Sequence, residues 1–135
     1  ALPDGPAPDA VVSGYSIHHQ SDKRKRSLYA EIRDLLAPGG WFINVEHVAP
    51  GSPLCRELFD RAMIDGLTQL YERRGMSRDK AERTARDLHM SRADKEANIL
   101  TPVETQCRWL RELGYRQVDC YLRIYELAVF GGAKP

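Results

Sequence analysis

The sequence predicts an α/β fold: the second half of a doubly wound sheet, with two parallel strands, an antiparallel C-terminal hairpin and a helical insertion. Three observations predict it. An apolar run, Asp9-Ala10-Val11-Val12, passes through a polar loop into a helical pattern. The chain then crosses Ala37-Pro38-Gly39-Gly40 into a second apolar run starting at Trp41. That is a strand-helix-strand unit, the crossover a parallel pair requires. Near the C-terminus two further strand-like runs are separated by almost nothing, which reads as a tight hairpin. In open α/β sheets, ligands bind beside the carboxyl ends of the strands. Ser13 to His19 is therefore where chemistry is expected first.

The elements follow in order. Residues 1–8 carry three prolines and read as irregular chain. Asp9 to Ile17 reads as a buried strand, because Val11 and Val12 are continuous rather than alternating. Ser21 is a candidate N-cap with Asp22 in the first turn. Leu28, Ile32, Leu35 and Leu36 then share one helical stripe. Lys23-Arg24-Lys25-Arg26 lies at that helix start, where the dipole disfavours cations. It reads as a solvated face, with a phosphate or partner contact as the alternative. Trp41 to Val48 is the second strand. Ser52-Pro53 starts a helix, with Ser at the cap and Pro at the first helical position. Its apolar face would be Leu54, Leu58, Phe59, Met63, Leu67 and Leu70. Gly75 reads as a helix end and Ser77 as a new cap. The segment from Arg78 to Ala97 is very polar, only Ala81, Ala85 and Leu88 suggest a face, and it is expected to be peripheral and mobile. Thr101-Pro102-Val103-Glu104 reads as a capping box, followed by core positions Val103, Cys107 and Leu110, with Gly114 as the helix end. The closing strands are placed at about Tyr115 to Leu122 and Tyr125 to Phe130.

At 135 residues the chain is about one domain by length. Its 42% hydrophobic and 29% charged residues suit a globular protein with a core. A net charge of +1 gives no pull toward nucleic acid or a membrane surface, so neither partner is indicated. No apolar run approaches the roughly 20 residues of a membrane span. Cys55, Cys107 and Cys120 are odd in number and far apart, which fits a reducing compartment, and a cytoplasmic location is expected. Several chemistries lack their motifs. The four histidines and three cysteines show no zinc spacing, so no metal site is expected. Val12-Ser13-Gly14 lacks the elbow that exposes a hydrolase serine. There is no P-loop, and the aromatic residues are not interleaved with a basic stripe.

The segment Asp9-x-Val11-Val12-Ser13 through Ile17-His18-His19 resembles the fourth motif of class I S-adenosylmethionine (SAM)-dependent methyltransferases. Leu35-Leu36-x-Pro38-Gly39-Gly40-x-Phe42 resembles the approach to that family's fifth strand. Leu113-Gly114-Tyr115-x-x-Val118-Asp119-Cys120, then Leu127-Ala128-Val129-Phe130-Gly131-Gly132, resembles its closing hairpin. The middle, from about Pro53 to Leu100, carries no such likeness. The resemblance implies a Rossmann-like methyltransferase sheet, with residues 53–100 as an insertion over the site's edge. It also implies a Gly-rich cofactor loop upstream of Asp9. The eight residues before Asp9 do not contain one, and the chain is expected to be the C-terminal half of a methyltransferase domain.

The resemblance implies SAM as cofactor, with Ser13 and Tyr15 lining its methionine part. A small-molecule methyl acceptor follows as substrate. His18 and His19 are candidate bases, since histidine titrates nearest neutral pH. His19, further out of the strand, is the preferred one, while a structural role for the pair is the alternative. Asn44, Glu46 and His47 end the second strand at the same edge and are candidate substrate contacts, or else solvated surface. An unmet edge on the first strand is expected to lead to a homodimer or to association with the missing N-terminal half. A non-catalytic scaffold module with part of the fold is the competing reading.

Overall fold

The computed structural model describes residues 5–91 and 97–135. The first four residues of the expected irregular start, and residues 92–96 of the polar segment, lie outside them. The chain forms two compact units. One comprises residues 1–49 and 99–135, the other residues 50–98.

The first unit holds a four-stranded sheet. Its elements are β1 (Ala10–Gly14), a 3-10 turn (Ile17–His19), α1 (Asp22–Leu35), β2 (Trp41–His47), then α4 (Val103–Glu112), β3 (Arg116–Ile124) and β4 (Leu127–Ala133). The sheet order is β1-β2-β4-β3. β1 and β2 run parallel, with Ala10 opposite Trp41 and Gly14 opposite Val45. β4 is antiparallel to both β2 and β3. This is the expected α/β arrangement. The closing strands run further than the apolar pattern indicated, through Ile124 and through Gly131-Gly132 to Ala133.

Helix ends follow local chemistry. Ser21 Oγ accepts from Arg24 N at 3.3 Å and caps α1. Lys134 Nζ donates to the carbonyls of Asp34 (3.2 Å) and Leu36 (2.6 Å), placing a cation where the α1 dipole is negative. α4 ends at Gly114, whose φ of 88° is open to glycine without steric cost. There Tyr115 N donates to Leu110 O and Gly114 N to Arg111 O, the pair of bonds that closes a helix C-terminus.

α1 and α4 pack on one sheet face. Tyr29, Ile32 and Leu36 meet Val103, Cys107 and Leu110 over Phe42, Val118, Ala128 and Phe130. Burying each large apolar side chain contributes about 1.5–3 kcal/mol. Burial also pushes the Cys107 thiol up to about 11, leaving it an unreactive core group.

Four expectations change. The buried stripe of α1 is Lys25, Tyr29, Ile32 and Leu36, so the basic run is not wholly a solvated face. Lys25 Nζ is held by Asp22, by the Ile99 carbonyl and by Thr101 Oγ1 at 2.7 Å. Thr101 makes no capping box: its hydroxyl donates to Asp22 Oδ1 at 2.5 Å, and Glu104 pairs with Arg123. β1 is a sheet edge rather than a buried strand, and Val12 is 70% exposed.

The fourth change lies in the second unit, α2 (Pro53–Arg73) and α3 (Arg78–His89). Ser52 caps α2 through Cys55 N at 3.1 Å, with Pro53 first in the helix. The expected apolar face is split: Phe59, Ile64 and Thr68 are buried, whereas Leu54, Met63 and Leu70 are exposed. Ala81 and Ala85 are fully buried and give α3 the small face that lets it pack. His89 Nε2 lies 2.7 Å from Asp60 Oδ1, joining α3 to α2. Gly75, at φ 92°, ends α2 with Met76 N on Tyr71 O and Gly75 N on Glu72 O.

Candidate functional site

The polar residues converge at the carboxyl ends of β1 and β2. β1 leaves the sheet through Tyr15, whose φ of 51° is left-handed and uncommon for a side chain of this size. Tyr15 N still donates to Val45 O at 2.9 Å, so the ladder fixes the residue from which the turn departs. Ser13 and Ser16 share a hydroxyl contact of 3.1 Å across the bend. The 3-10 turn follows and aims Ile17, His18 and His19.

Glu46 organises that turn. It sits near the end of β2 on the core face, beside Phe42 and Asn44 in the strand's alternation, and is 1% exposed. Its Oε2 accepts from Ile17 N at 2.9 Å and His18 N at 3.1 Å. Its Oε1 accepts from His47 N at 3.0 Å and lies 2.5 Å from His18 Nδ1. A carboxylate has no hydrogen to give, so Nδ1 carries the proton and Nε2 is the accepting nitrogen of the neutral ring. Buried charge is costly without such compensation. The four donors supply it and fix the His18 ring.

His18 is itself buried, and its carbonyl accepts from Ile99 N at 2.9 Å. His19 is exposed, with its ring centroid 4.0 Å from that of His18 at 45°. The His47 ring meets that of His18 nearly edge-on at 5.8 Å. His47 Nε2 lies 2.8 Å from Oε2 of Glu126, a buried residue between β3 and β4. The nearby Tyr29 hydroxyl is held above its ordinary range, first by burial and then by the Glu46 charge. It is a structural donor, at 2.5 Å from Gln106 Oε1.

The structure thus brings Ser13, Tyr15, His18, His19, Glu46 and His47 to one sheet edge. It does not place Asn44 and Glu46 as outward contacts. Both are essentially inaccessible, because their even position in β2 turns them toward α1 and α4. Glu46 instead faces the His18 ring. Of the two adjacent histidines, His18 is the buried one, and Glu46 orients its ring. Glu126 was not singled out from the sequence. Its one signal is a glutamate in a tight hairpin turn, where Gly, Asn or Asp is commoner. Among the described residues, no group of three or more His, Cys, Asp or Glu could hold a metal ion. No helix among them is long and apolar enough to cross a membrane.

No protein-family model matches the sequence, and no curated protein matches it. Solved structures do match in fold. An O-methyltransferase family protein from Burkholderia thailandensis aligns with a TM-score of 0.57 at 16% identity, over 97% of this chain and 31% of that one. The SAM-dependent methyltransferase SibL, in its apo form, aligns with a TM-score of 0.60 at 17% identity, over 99% of this chain and 33% of its own. PigF with SAH aligns with a TM-score of 0.57 at 14% identity, over 98% and 32%. The chain therefore has the fold of a part of these methyltransferases and spans about a third of their length.

Proposed function

We propose that this chain is part of a SAM-dependent methyltransferase that methylates a small molecule, with His18 as the base and Glu46 as the residue that holds it. The observation that carries the reading is the buried His18–Glu46 pair, 2.5 Å apart, at the carboxyl edge of a methyltransferase-like sheet. Fold alone does not give function. The oriented imidazole adds the chemical argument.

The residues at the end of β1 suit a cofactor. Space beside Gly14 is open: a Cβ built there would meet no atom within 4 Å. A ligand could approach this backbone closely. Ser13, Gly14 and Tyr15 would then line the methionine end. SAM held there would supply the methyl group on a sulfonium, with a neutral thioether as the leaving group. The acceptor's hydroxyl or amine proton would pass to His18 Nε2 as the acceptor takes the methyl group. Glu46 stabilises the imidazolium that results, and the remaining work is positioning. The rings of His19 and His47 flank that of His18.

The test is SAM titration and S-adenosylhomocysteine release with the longer protein that contains this chain. Cofactor binding there, together with product release, is the expected result. Binding with no product release under any acceptor supplied would count against catalysis. The 135-residue chain alone is expected to bind SAM weakly, and calorimetric binding in the micromolar range would contradict that. The edge of β1, with Val12 70% exposed, supports association with another polypeptide, either a second copy or the rest of the protein. Light scattering that shows only monomer at high concentration would argue against a second copy.

A further inference from the structure

We propose that Glu126, on the β3–β4 turn, is a positioning residue for His47, so that the site holds two imidazoles in opposite tautomers. The inference rests on the reading of this edge as a ligand site, but its test does not.

The two rings are held by different nitrogens. His18 faces Glu46 with Nδ1, whereas His47 faces Glu126 with Nε2 at 2.8 Å. A carboxylate only accepts, so each facing nitrogen must carry the hydrogen. His18 is then Nδ1–H with Nε2 accepting. His47 is Nε2–H with Nδ1 as its accepting side. The rings lie 5.8 Å apart at 65°, close enough to face one bound molecule together.

Glu126 is built for this role rather than placed by chance. It is 4% exposed, at the one point where the chain reverses between β3 and β4. Its backbone is tied to the site strand, since Val48 N donates to Glu126 O at 2.7 Å. The preceding residue, Tyr125, takes a left-handed φ of 53°, which turns the chain so that residue 126 points inward. Arg123 anchors the same turn on its other side, donating to Tyr125 O at 3.2 Å and Glu104 Oε1 at 2.6 Å. Burying a carboxylate at a turn costs stability unless a donor meets it. A surface glutamate would close the hairpin as well, so the burial points to the imidazole it fixes. The C-terminal hairpin thereby becomes a wall of the site and not only its scaffold.

The experiment is long-range ¹⁵N–¹H correlation of the histidine rings in the full 135-residue chain, at a pH where they are neutral. His47 is expected to show the Nε2–H pattern and His18 the Nδ1–H pattern. In Glu126→Ala, His47 is expected to lose its single-tautomer signature while His18 keeps its own. Glu126→Asp is expected to restore it in part. Glu126→Gln keeps the size of the side chain, guards against loss of folding, and should raise the Nδ1–H share at His47. The proposal is overturned if His47 in the unmodified chain is Nδ1–H or mixed. It is equally overturned if both the Ala and Gln variants leave its tautomer unchanged. The His18–Glu46 reading is judged separately, by the His18 signal and by Glu46 variants.

Discussion

Single residues at this edge act by accepting or donating in one direction, and Glu46 shows what that fixes. All four groups around it are donors. Glutamine has one accepting oxygen, so Glu46→Gln would turn an NH₂ group toward two of them, whichever way it flips. Stability is expected to fall by about 1.5–3 kcal/mol, the scale for a hydrogen bond to a charged group. Denaturant unfolding measures it, and an unchanged midpoint would show that the network is not as tight as its distances. Lys25 illustrates the same physics with the sign reversed. Its ammonium satisfies the Ile99 carbonyl and the Thr101 hydroxyl, in the segment that also reaches the His18 carbonyl.

At the scale of elements, the sheet depends on how closely β4 approaches its neighbours. A Cβ at Gly131 would lie 1.9 Å from the Phe42 carbonyl oxygen, and one at Gly132 would lie 2.8 Å from a Val118 methyl. Backbone cannot yield as a side-chain end can. Gly131→Ala is therefore expected to destabilise the chain by at least the 1–3 kcal/mol typical of overpacking, or to prevent folding. A thermal melt equal to that of the parent chain would refute it. The apolar pattern ends this strand at about Phe130, whereas the pair continues it to Ala133 and its reason is strand packing. The contrast marks what was legible. Ser21, Ser52-Pro53, Gly75 and Gly114 act on atoms a few residues away, so their caps and helix ends could be read directly. Lys25, Thr101 and Glu126 take partners 74 to 79 residues distant. No local pattern encodes those pairings. The split face of α2 was missed for a related reason: apolar spacing shows which residues share a helix side, not which side is covered.

Over the whole molecule, the two ends of the helical segment leave and rejoin the first unit at one place. Ala49 N donates to Thr101 O at 3.2 Å, and Arg123 Nη2 reaches Ala49 O at 3.4 Å. The sheet's own core is drawn from residues outside 50–98. Replacing residues 50–98 by a short Gly/Ser linker is thus expected to leave a folded sheet domain, since loop length changes closure entropy only slowly. A dispersed amide NMR spectrum would show it, and a collapsed one would show that the sheet needs the helical unit. The role of the buried His18–Glu46 pair is tested most directly by kinetics of a protein that contains this chain and the rest of the proposed methyltransferase domain. SAM affinity and turnover would be measured for His18→Ala and His19→Ala side by side. His18→Ala is expected to lower turnover by about 100- to 10,000-fold with SAM affinity little changed, and His19→Ala by far less. Near-normal turnover in His18→Ala, or a loss confined to His19→Ala, would contradict the assignment of the buried pair as the base and its support.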